Sequence, residues 1–300
     1  MYKITSRWSH QNSIKIEWNL GKRCNYDCSY CPAEIHDNSS SHTDIEILKS
    51  TVDKLLNIGK PIRLSFTGGE PTVHPKFNEL IRYCRHTGVN WISVTTNGTR
   101  HLDYYQNLEV DQYIFSLHFE YDLKRTLDTI IKLKERSNKH IVGQIMAHHD
   151  HMINVRTVRS LFNNLSISNT VRRIRWTDGD RDLFDDLRYH PDDLAWVKEQ
   201  ESTVSANCVI DGGSNSERMM HSNDIIKLHL NKFKDWSCAA GIESLMINWS
   251  GDVYRATCRV GGNLGNIYTG TFDIPTSSII CDRNYCTCSS DIPLTKIDLR

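Results

Sequence analysis

The chain has 300 residues, and Lys plus Arg equals Asp plus Glu at 36 each, so no global field favours nucleic acid or a membrane surface as a partner. The amino terminus lacks the apolar core of a signal peptide, and no run approaches the ~18 apolar residues of a membrane helix. We therefore expect a soluble, cytoplasmic protein with one barrel-sized domain or two ordinary ones.

Residues 1–13 are polar and are predicted to form a surface lead-in. Alternating apolar residues predict a first strand over 14–20. Thr43 and Glu46 form a capping box, which predicts a helix that ends near Gly59.

The alternation of strand and helix continues to residue 176. Further strands are predicted over 62–67, 91–95, 112–117, 141–147 and 172–176. Further helices are predicted over 77–87, 101–108, 123–134 and 155–165. Six strands alternating with helices predict a parallel sheet, and the length favours an open, partial (β/α)6 barrel of the TIM type over a closed eightfold one. Active sites of such sheets lie at the carboxyl ends of the strands.

The pattern changes after residue 177. We predict a polar turn over 178–182, a short helix over 191–201 and a flexible loop over 212–216. Two strands of a hairpin are predicted over 244–248 and 253–257. These elements divide the chain into a lead-in over 1–13 and a barrel over 14–180. A bridging segment over 181–237 and a small C-terminal β-hairpin-containing domain over 238–300 follow.

The ten cysteines are bunched near the two ends of a chain that shows no export signal, which favours metal binding over disulfides. Only two stand apart from these groups. Cys84 lies in a helical pattern and is predicted to be a small core residue. The residues around Cys208 predict no role for it.

The first cysteine group is Cys24, Cys28 and Cys31, which one loop can direct at one point. A tetrahedral zinc site needs four protein donors, whereas a 4Fe-4S cluster can be held by three cysteines with one iron open. Three close cysteines without a close fourth therefore favour the cluster. A structural zinc loop or a disulfide framework is the alternative.

This Cys-x3-Cys-x2-Cys spacing, with Tyr30 just before the last cysteine, resembles the signature of the radical S-adenosylmethionine (radical SAM) enzymes. The resemblance implies that Cys24, Cys28 and Cys31 hold a 4Fe-4S cluster whose open iron binds S-adenosylmethionine (SAM), with Tyr30 in the cofactor site. It also implies reductive cleavage of SAM to a 5'-deoxyadenosyl radical, which abstracts a hydrogen atom from the substrate.

Two further segments at strand ends strengthen this resemblance. Gly68-Gly69-Glu70-Pro71 resembles the family's GGE segment, which holds the ammonium of SAM; a plain Gly-Gly turn is the alternative. Gly143-x-Ile145-x-Ala147-x-x-Asp150 is similar to the GxIxGxxE pattern and implies that Ile145 lies against the adenine. Ala147 and Asp150 depart from the usual Gly and Glu, and an ordinary buried strand is the alternative.

The family often places polar SAM contacts at the ends of the third and fourth strands. In this chain the corresponding residues are Asn97, Ser116 and His118. Ordinary turn chemistry explains Asn-Gly and Ser at such positions equally well.

The second cysteine group, with Gly251 and Gly265 between its members, resembles the auxiliary-cluster extensions called SPASM and its shortened form, twitch. Its cysteines are Cys238, Cys258, Cys281, Cys286 and Cys288. Five cysteines are too few for two fully ligated 4Fe-4S clusters and one more than a single cluster needs. The resemblance therefore implies one cluster, held by Cys238, Cys258 and two of the other three, and a zinc knuckle is the alternative.

Substrate residues are expected at the strand ends and in the bridging segment. The candidates are His118, His148, Arg175, Asp178 and Asp180, of which His118, Arg175 and Asp178 are also candidate catalytic residues. The resemblance further implies an electron donor such as flavodoxin or ferredoxin.

Several substrate classes stay open at this point. The compact chain, without a separate amino-terminal peptide-binding module, favours a small metabolite, such as a sugar, amino acid or nucleoside, over a ribosomally made peptide. Arginines at 156, 159, 172, 173 and 175 make a base in DNA or RNA a third possibility, although paired charges on a helix face are the ordinary interpretation. The non-enzymatic alternative is a zinc or iron–sulfur binding module.

Overall fold

The structure is a computed structural model that describes residues 2–6, 12–33, 36–176, 184–201, 206–212 and 217–300. Its helices are α1 (Ile45–Leu56), α2 (Phe77–His86), α3 (Leu102–Asn107), α4 (Lys124–Arg136), α5 (Met152–Asn164), α6 (Pro191–Glu201) and α7 (Ser222–Lys227). Its strands are β1 (Lys3–Ser6), β2 (Ile14–Asn19), β3 (Ile62–Thr67), β4 (Trp91–Thr96), β5 (Gln112–Leu117), β6 (His140–Ala147), β7 (Ser168–Arg173), β8 (Arg175–Trp176), β9 (Phe184–Asp185), β10 (Cys208–Asp211), β11 (Glu217–Met220), β12 (Ser237–Cys238), β13 (Ser244–Ile247), β14 (Asp252–Tyr254), β15 (Asn263–Asn266), β16 (Ile279–Ile280) and β17 (Lys296–Ile297).

The main sheet has nine strands in the order β15-β14-β13-β2-β3-β4-β5-β6-β7. Strands β2 to β7 run parallel, and helices α1 to α5 connect them, so the predicted α/β partial barrel is confirmed. The predicted C-terminal hairpin extends this sheet, because β13 pairs in parallel with β2, with Leu245 opposite Ile16. The C-terminal region is therefore joined to the barrel through backbone hydrogen bonds.

The alternation of side chains along each strand separates the core from the inside of the barrel. Ile14, Ile16 and Trp18 of β2 are buried among the helices, where Trp18 Nε1 donates to Tyr268 Oη at 2.9 Å. Lys15 and Glu17, on the opposite face of the strand, are only partly buried. The barrel thus has an apolar outer core and a polar inner face.

The second sheet is antiparallel where its strand pairs are defined, in the order β11-β10-β1-β17-β12-β16. Strand β1 lies between β10 and β17, and Ile4 is only 4% exposed. The prediction of a surface lead-in over 1–13 is therefore wrong for residues 3–6. A polar four-residue strand has little pattern of its own, and it is stabilised by partners more than 200 residues away along the chain.

Other element boundaries differ by a few residues. The last parallel strand begins at Ser168 and not at residue 172, because Ser168 to Arg173 pair with β6. Helix α1 begins at Ile45 with Asp44 as its N-cap, since the Asp44 carboxylate accepts the Glu46 amide. Cys84 is fully buried in the core, as predicted. Cys208 is also buried, and its thiol donates to Asn207 Oδ1 at 3.3 Å.

Some predictions fall on residues that are not described. The polar turn over 178–182, with Asp178 and Asp180, lies outside the described residues, as does most of the predicted loop over 212–216. In the described part of the chain, no helix is both long enough and apolar enough to span a bilayer.

Candidate active site

The loop that carries Cys24, Cys28 and Cys31 follows β2 at the carboxyl end of the sheet. The Gly69 amide donates to Gly21 O at 2.8 Å, and the Glu70 amide donates to Arg23 O at 2.9 Å. A Cβ on Gly69 would lie only 2.3 Å from the carbonyl oxygens of Lys22 and Arg23. The Gly-Gly-Glu segment is therefore the support against which the cysteine loop is built, and only glycine allows this approach.

Residues after β5 hold the same loop from its other side. Glu120 Oε2 accepts the Ser29 amide at 3.0 Å, and Tyr121 Oη accepts the Asp27 amide at 2.5 Å. The rings of Tyr26 and Tyr121 stack with centroids 3.7 Å apart. The sequence analysis missed Glu120 and Tyr121, although their position directly after the polar end of β5 was a usable signal.

A cavity of about 330 Å³ lies beside the three cysteines at the carboxyl ends of β3 to β6. The predicted cofactor residues Tyr30, Gly68, Gly69, Glu70, Asn97, Ser116 and His118 all line it. Gln144 and Met146 of β6 also line it and were not predicted. The cavity therefore brings together seven of the eight predicted cofactor residues.

The exception is Ile145, which was predicted to lie against the adenine. Its side chain is fully buried in the hydrophobic core on the helix side of β6. Gly143 faces the same way, since a Cβ there would lie 2.2 Å from Phe162 of α5. The cavity side of β6 belongs to Gln144 and Met146, so the predicted contact of the Ile145 side chain with the cavity is wrong. Period-two alternation places Gln144 and Met146 on one face of β6, but it does not by itself indicate which face lines the cavity.

Glu70 is buried and bonded to the ends of two strands. Its Oε1 accepts from Thr72 N at 3.0 Å and from Thr96 Oγ1 at 2.8 Å, and its Oε2 accepts from Asn97 N at 2.6 Å. Burial raises the pKa of Glu70, and these hydrogen bonds oppose the increase. Oε2 makes one of these bonds and has lone-pair capacity for a further donor.

His118 connects the cysteine loop to β5. Its Nδ1 lies 2.6 Å from the Tyr30 hydroxyl and 3.3 Å from Cys28 Sγ. Burial lowers the pKa of His118 to about 4, so the ring is neutral at pH 7 and Nδ1 can accept from Tyr30. The geometry gives His118 a role in positioning this loop.

Burial favours the neutral, protonated form of the three thiols of the loop. Burial raises the pKa of Cys24 to about 11 and that of Cys28 to about 12, and the other thiols of the group add to both increases. Burial also raises the pKa of Cys31. A positively charged metal group at this wall would reverse that preference, because metal coordination deprotonates thiols.

Four of the five C-terminal cysteines converge on a second, much smaller space of about 10 Å³. Cys238, Cys258, Cys281 and Cys286 line it. The cations Arg283 and Lys296 and the carboxylate of Asp291 also line it. Cys288 is the cysteine of this group that does not, and its Sγ lies 3.0 Å from Ser290 Oγ.

The loop after Cys286 reaches the barrel from the side. Arg172 of β7 donates from Nη1 to Ser289 Oγ at 3.2 Å. On β2, burial raises the pKa of Glu17, and the carboxylate of Asp291 adds to the increase. The same loop therefore approaches both the first and the last parallel strand of the barrel.

In the run over 156–175, the arginines of α5 and β7 are bonded within the chain. Arg156 pairs with Asp193 at 2.8 Å, Arg159 donates to Asn169 O at 3.2 Å, and Arg173 pairs with Glu201 at 2.8 Å. Burial lowers the pKa of Arg175, whose Nε has no hydrogen-bond partner among the described residues. These contacts match the paired-charge interpretation of the run.

Comparison with known proteins places this geometry in a family. The sequence profile of the Radical SAM superfamily matches residues 18–161. The chain is 36% identical over 94 residues to the Fe-coproporphyrin III synthase of Methanosarcina barkeri and 36% identical over 101 residues to the subtilosin biosynthesis protein AlbA of Bacillus subtilis. These alignments cover 31% and 33% of this chain but only 23% and 22% of the relatives.

Solved structures share the fold over a longer stretch. A structure of anSMEcpe with bound AdoMet has a TM-score of 0.59 at 16% identity and covers 86% of this chain and 79% of that one. Streptococcus suis SuiB bound to its precursor peptide SuiA has a TM-score of 0.57 at 12% identity and covers 86% of this chain and 63% of that one. The solved structures, at 16% and 12% identity, show a shared fold alone. The family match includes the cysteine loop and identifies residues 18–161 as a radical SAM domain, a kind of enzyme domain that uses a 4Fe-4S cluster and S-adenosylmethionine in its family.

Proposed function

We propose that this chain cleaves S-adenosylmethionine reductively and abstracts a hydrogen atom from a small polar substrate. The observation that carries the proposal is the 330 Å³ cavity, which has three thiols at one wall and the Gly68–Glu70 segment at another. Three cysteines are the donor set of a 4Fe-4S cluster that leaves one iron open. The residues present therefore fit the cofactor pair that the family uses.

In this proposal Cys24, Cys28 and Cys31 hold the cluster. When bound, such a cluster would supply the electron for reductive cleavage of the carbon–sulfur bond of SAM. Glu70 supports the loop through its backbone and offers Oε2 to an ammonium group. The walls of the cavity hold the reacting groups close together and exclude water.

The proposal is tested by anaerobic reconstitution with iron and sulfide, followed by SAM and dithionite, with 5'-deoxyadenosine measured by mass spectrometry. We expect product from the native chain and from Ser29→Ala, which changes an exposed side chain in the same loop. We expect none above the protein-free control from Cys31→Ala. A native chain that binds one zinc ion at this loop and forms no 5'-deoxyadenosine would refute the proposal.

We also propose that residues 238–300 form a twitch-like unit with one auxiliary 4Fe-4S cluster, held by Cys238, Cys258, Cys281 and Cys286. The convergence of these four thiols and the cations Arg283 and Lys296 beside them support it, because a thiolate-bound cluster is anionic. The thiols must move apart to seat a cluster, since the space between them is about 10 Å³. The proposed ligand set omits Cys288, which does not line this space and whose Sγ lies 3.0 Å from Ser290 Oγ.

Iron and sulfide analysis of cysteine variants tests this ligand set. We expect about eight iron atoms per chain in the native protein and in Cys288→Ser, and about four in Cys281→Ser. A native value of about four that no C-terminal substitution changes would rule the auxiliary cluster out. Loss of iron from Cys288→Ser equal to that from Cys281→Ser would refute the assignment of ligands.

The side chains on the inner face of the barrel favour binding of a small polar substrate over binding of a large apolar one. Arg172 is the register partner of Met146, which lines the cavity, and Lys15 and Glu17 lie on the inner face of β2. The loop that carries Ser289 contacts the barrel at Arg172, which donates to Ser289 Oγ at 3.2 Å. The curated relatives are named for a porphyrin, a nucleotide and a bacteriocin, so they favour no single class of substrate.

Deuterium transfer tests the substrate class. The reduced protein is incubated with SAM and with deuterated pools of sugars, amino acids, nucleosides or peptides, and deuterium is measured in 5'-deoxyadenosine. We expect deuterium transfer from a small polar compound, with either flavodoxin or ferredoxin as the reductant. The KM for that compound should be higher in Arg172→Gln. Transfer from the peptide pool alone would overturn the small-molecule assignment and leave SAM cleavage intact.

A further inference from the structure

We propose that a cationic pocket at the amino-terminal end of the barrel binds a small ligand that carries more than one phosphate, at a site separate from the cofactor cavity. The pocket holds about 670 Å³, against about 330 Å³ for the cofactor cavity. Its charged lining residues are Lys3, Lys15, Lys60, Arg63 and Glu243. Four cations against one carboxylate leave three net positive charges on its described walls, in a chain whose overall formal charge is zero.

Arg63 is the cation of this pocket with the most unused donors. It lies on the inner face of β3, where Lys15 of β2 is its register partner. Its guanidinium lies over the ring of Trp91, with Cζ 5.4 Å from the ring centroid. Within the described part of the chain, the guanidinium makes no hydrogen bond or salt bridge. Because stacking on a ring leaves the N–H groups in the guanidinium plane free, Arg63 can still bind a phosphate through paired donors.

The lysines of the pocket also have donors to spare. Lys60 Nζ donates to Ile242 O at 3.1 Å, which fixes the side chain at the wall and leaves two N–H groups. Lys15 Nζ lies 3.8 Å from Glu17 Oε2, too far for a hydrogen bond. Lys3 of β1 is exposed, and its ammonium is bonded to no described residue. The positive charge of the pocket is therefore largely unpaired.

Glu243 is the one carboxylate among the described residues that line the pocket, and it is engaged by backbone. Its Oε2 accepts the Thr295 amide at 2.8 Å. No aromatic side chain lines the pocket among the described residues, so nothing there can stack on the bases of a single-stranded nucleic acid. Lysine binds phosphate as a point charge and arginine binds it through paired donors. Several such cations around one concave space favour a small polyphosphate over a monoanion.

The pocket is separate from the cofactor cavity. Arg63 and Thr67 lie on the same face of β3, four residues apart, and Thr67 lines the cofactor cavity. At about 3.3 Å per residue, roughly 13 Å separates these two levels of the barrel. Leu294 lines both this pocket and the space among the four C-terminal cysteines. A ligand held at Arg63 is therefore close to the second cysteine group and away from the first.

Equilibrium dialysis with radiolabelled pyrophosphate tests the site on the anaerobically prepared, iron–sulfur-loaded protein, with iron measured in the same samples. We expect one pyrophosphate per chain, unchanged iron, and the same affinity when SAM is present in excess. Sulfate, a dianion with a single centre, should compete at least about tenfold more weakly. Failure of the native chain to bind pyrophosphate, its displacement by SAM, or equal competition by sulfate would overturn the proposal.

Variants with opposite expected effects separate the site from general damage to the fold. Arg63→Gln and Lys60→Gln each remove one charge and should weaken pyrophosphate binding at least about tenfold. Glu243→Gln removes the carboxylate while its amide oxygen can still accept the Thr295 amide, so binding should become about threefold tighter. Lys134→Gln removes an exposed ammonium on α4 and should leave the affinity unchanged. Native affinity in both Arg63→Gln and Lys60→Gln, or weaker binding in Glu243→Gln, would overturn the proposal.

Discussion

The two cysteine groups are built in different ways. Cys24, Cys28 and Cys31 lie on one loop, beside about 330 Å³ of free space. Cys238, Cys258 and the pair Cys281 and Cys286 come from three separate segments and enclose about 10 Å³. The first arrangement leaves room for a ligand beside the thiols, whereas the second is closed around them.

The surroundings of the two groups differ as well. The first loop is held by the backbone of Gly69 and Glu70 and by Glu120, contacts that need no metal. The second group includes Cys238 of β12, and β12, β16 and β17 each have only two residues. Such short strands bury little surface, so metal coordination would supply much of their stability. We therefore expect the first group to serve chemistry and the second to serve stability.

The largest expected effect is the loss of activity in Cys28→Ala. Formation of 5'-deoxyadenosine should fall to the level of the protein-free control, while the free energy of unfolding should change by only about 1–2 kcal/mol. Both are measured on the same anaerobic preparation, by mass spectrometry and by urea titration. A loss of more than about 4 kcal/mol would break the comparison, because the loop would then carry stability as well.

The next effect is the loss of stability in Cys258→Ser. Removing a metal ligand from the closed group should lower the free energy of unfolding by more than about 4 kcal/mol, since metal binding there is also folding energy. Cys288→Ser is the matched control and should lose no more than about 1 kcal/mol. Equal losses in the two variants would mean that Cys288 belongs to the ligand set.

An intermediate effect is expected from Gly69→Ala, which tests how the first loop is held. The new Cβ would lie 2.3 Å from two backbone oxygens of the cysteine loop, and backbone cannot move away cheaply. We expect a loss of about 1–3 kcal/mol in thermal unfolding and a lower iron content. Gly21→Ala is the control, because a Cβ there meets no atom within 4 Å. The same result for both variants would show that the approach of Gly69 does not hold the loop.

The sequence predicted those features of the barrel and of the first cysteine loop that depend on local patterns. Residues 62–67 and 112–117 are strands with the predicted bounds, since alternation and the flanking turns define them. The position of the first cysteine loop and of Glu70 follows from the same reasoning, because parallel strands bring their carboxyl ends to one edge.

The parts that were missed depend on distant residues. Strand β1 is defined by its pairing with β10 and β17, which no local pattern in residues 3–6 indicates. The orientation of Ile145 is decided by its packing towards the helix layer of β6, although alternation alone allowed either face of the strand to line the cavity. The different environment of Cys288 depends on Ser290 and on the contact of Ser289 with Arg172.

The smallest expected effect concerns Glu17, which lies on barrel strand β2. Its pKa is influenced by the carboxylate of Asp291 in the C-terminal loop. Burial raises the pKa of Glu17 above its ordinary value of 4.5, with Asp291 adding to the increase and Lys15 opposing it. A group whose pKa is higher in the folded state than in the unfolded state stabilises the fold fully at pH values below its unfolded-state pKa. This contribution is lost as the pH rises through the folded-state pKa. The native chain should therefore lose stability from Glu17 as pH rises above 4.5.

Glu17→Gln removes this titration and should be more stable than the native chain by about 1 kcal/mol at pH 8, with little advantage near pH 4. The gain is small because the side chain is 30% exposed and water still reaches the carboxylate. Urea titrations at both pH values measure the difference, with the exposed Glu135→Gln on α4 as the control. A difference of the opposite sign at pH 8 would mean that the pair with Lys15, at 3.8 Å, outweighs burial, and that the two regions meet at a favourable ionic contact.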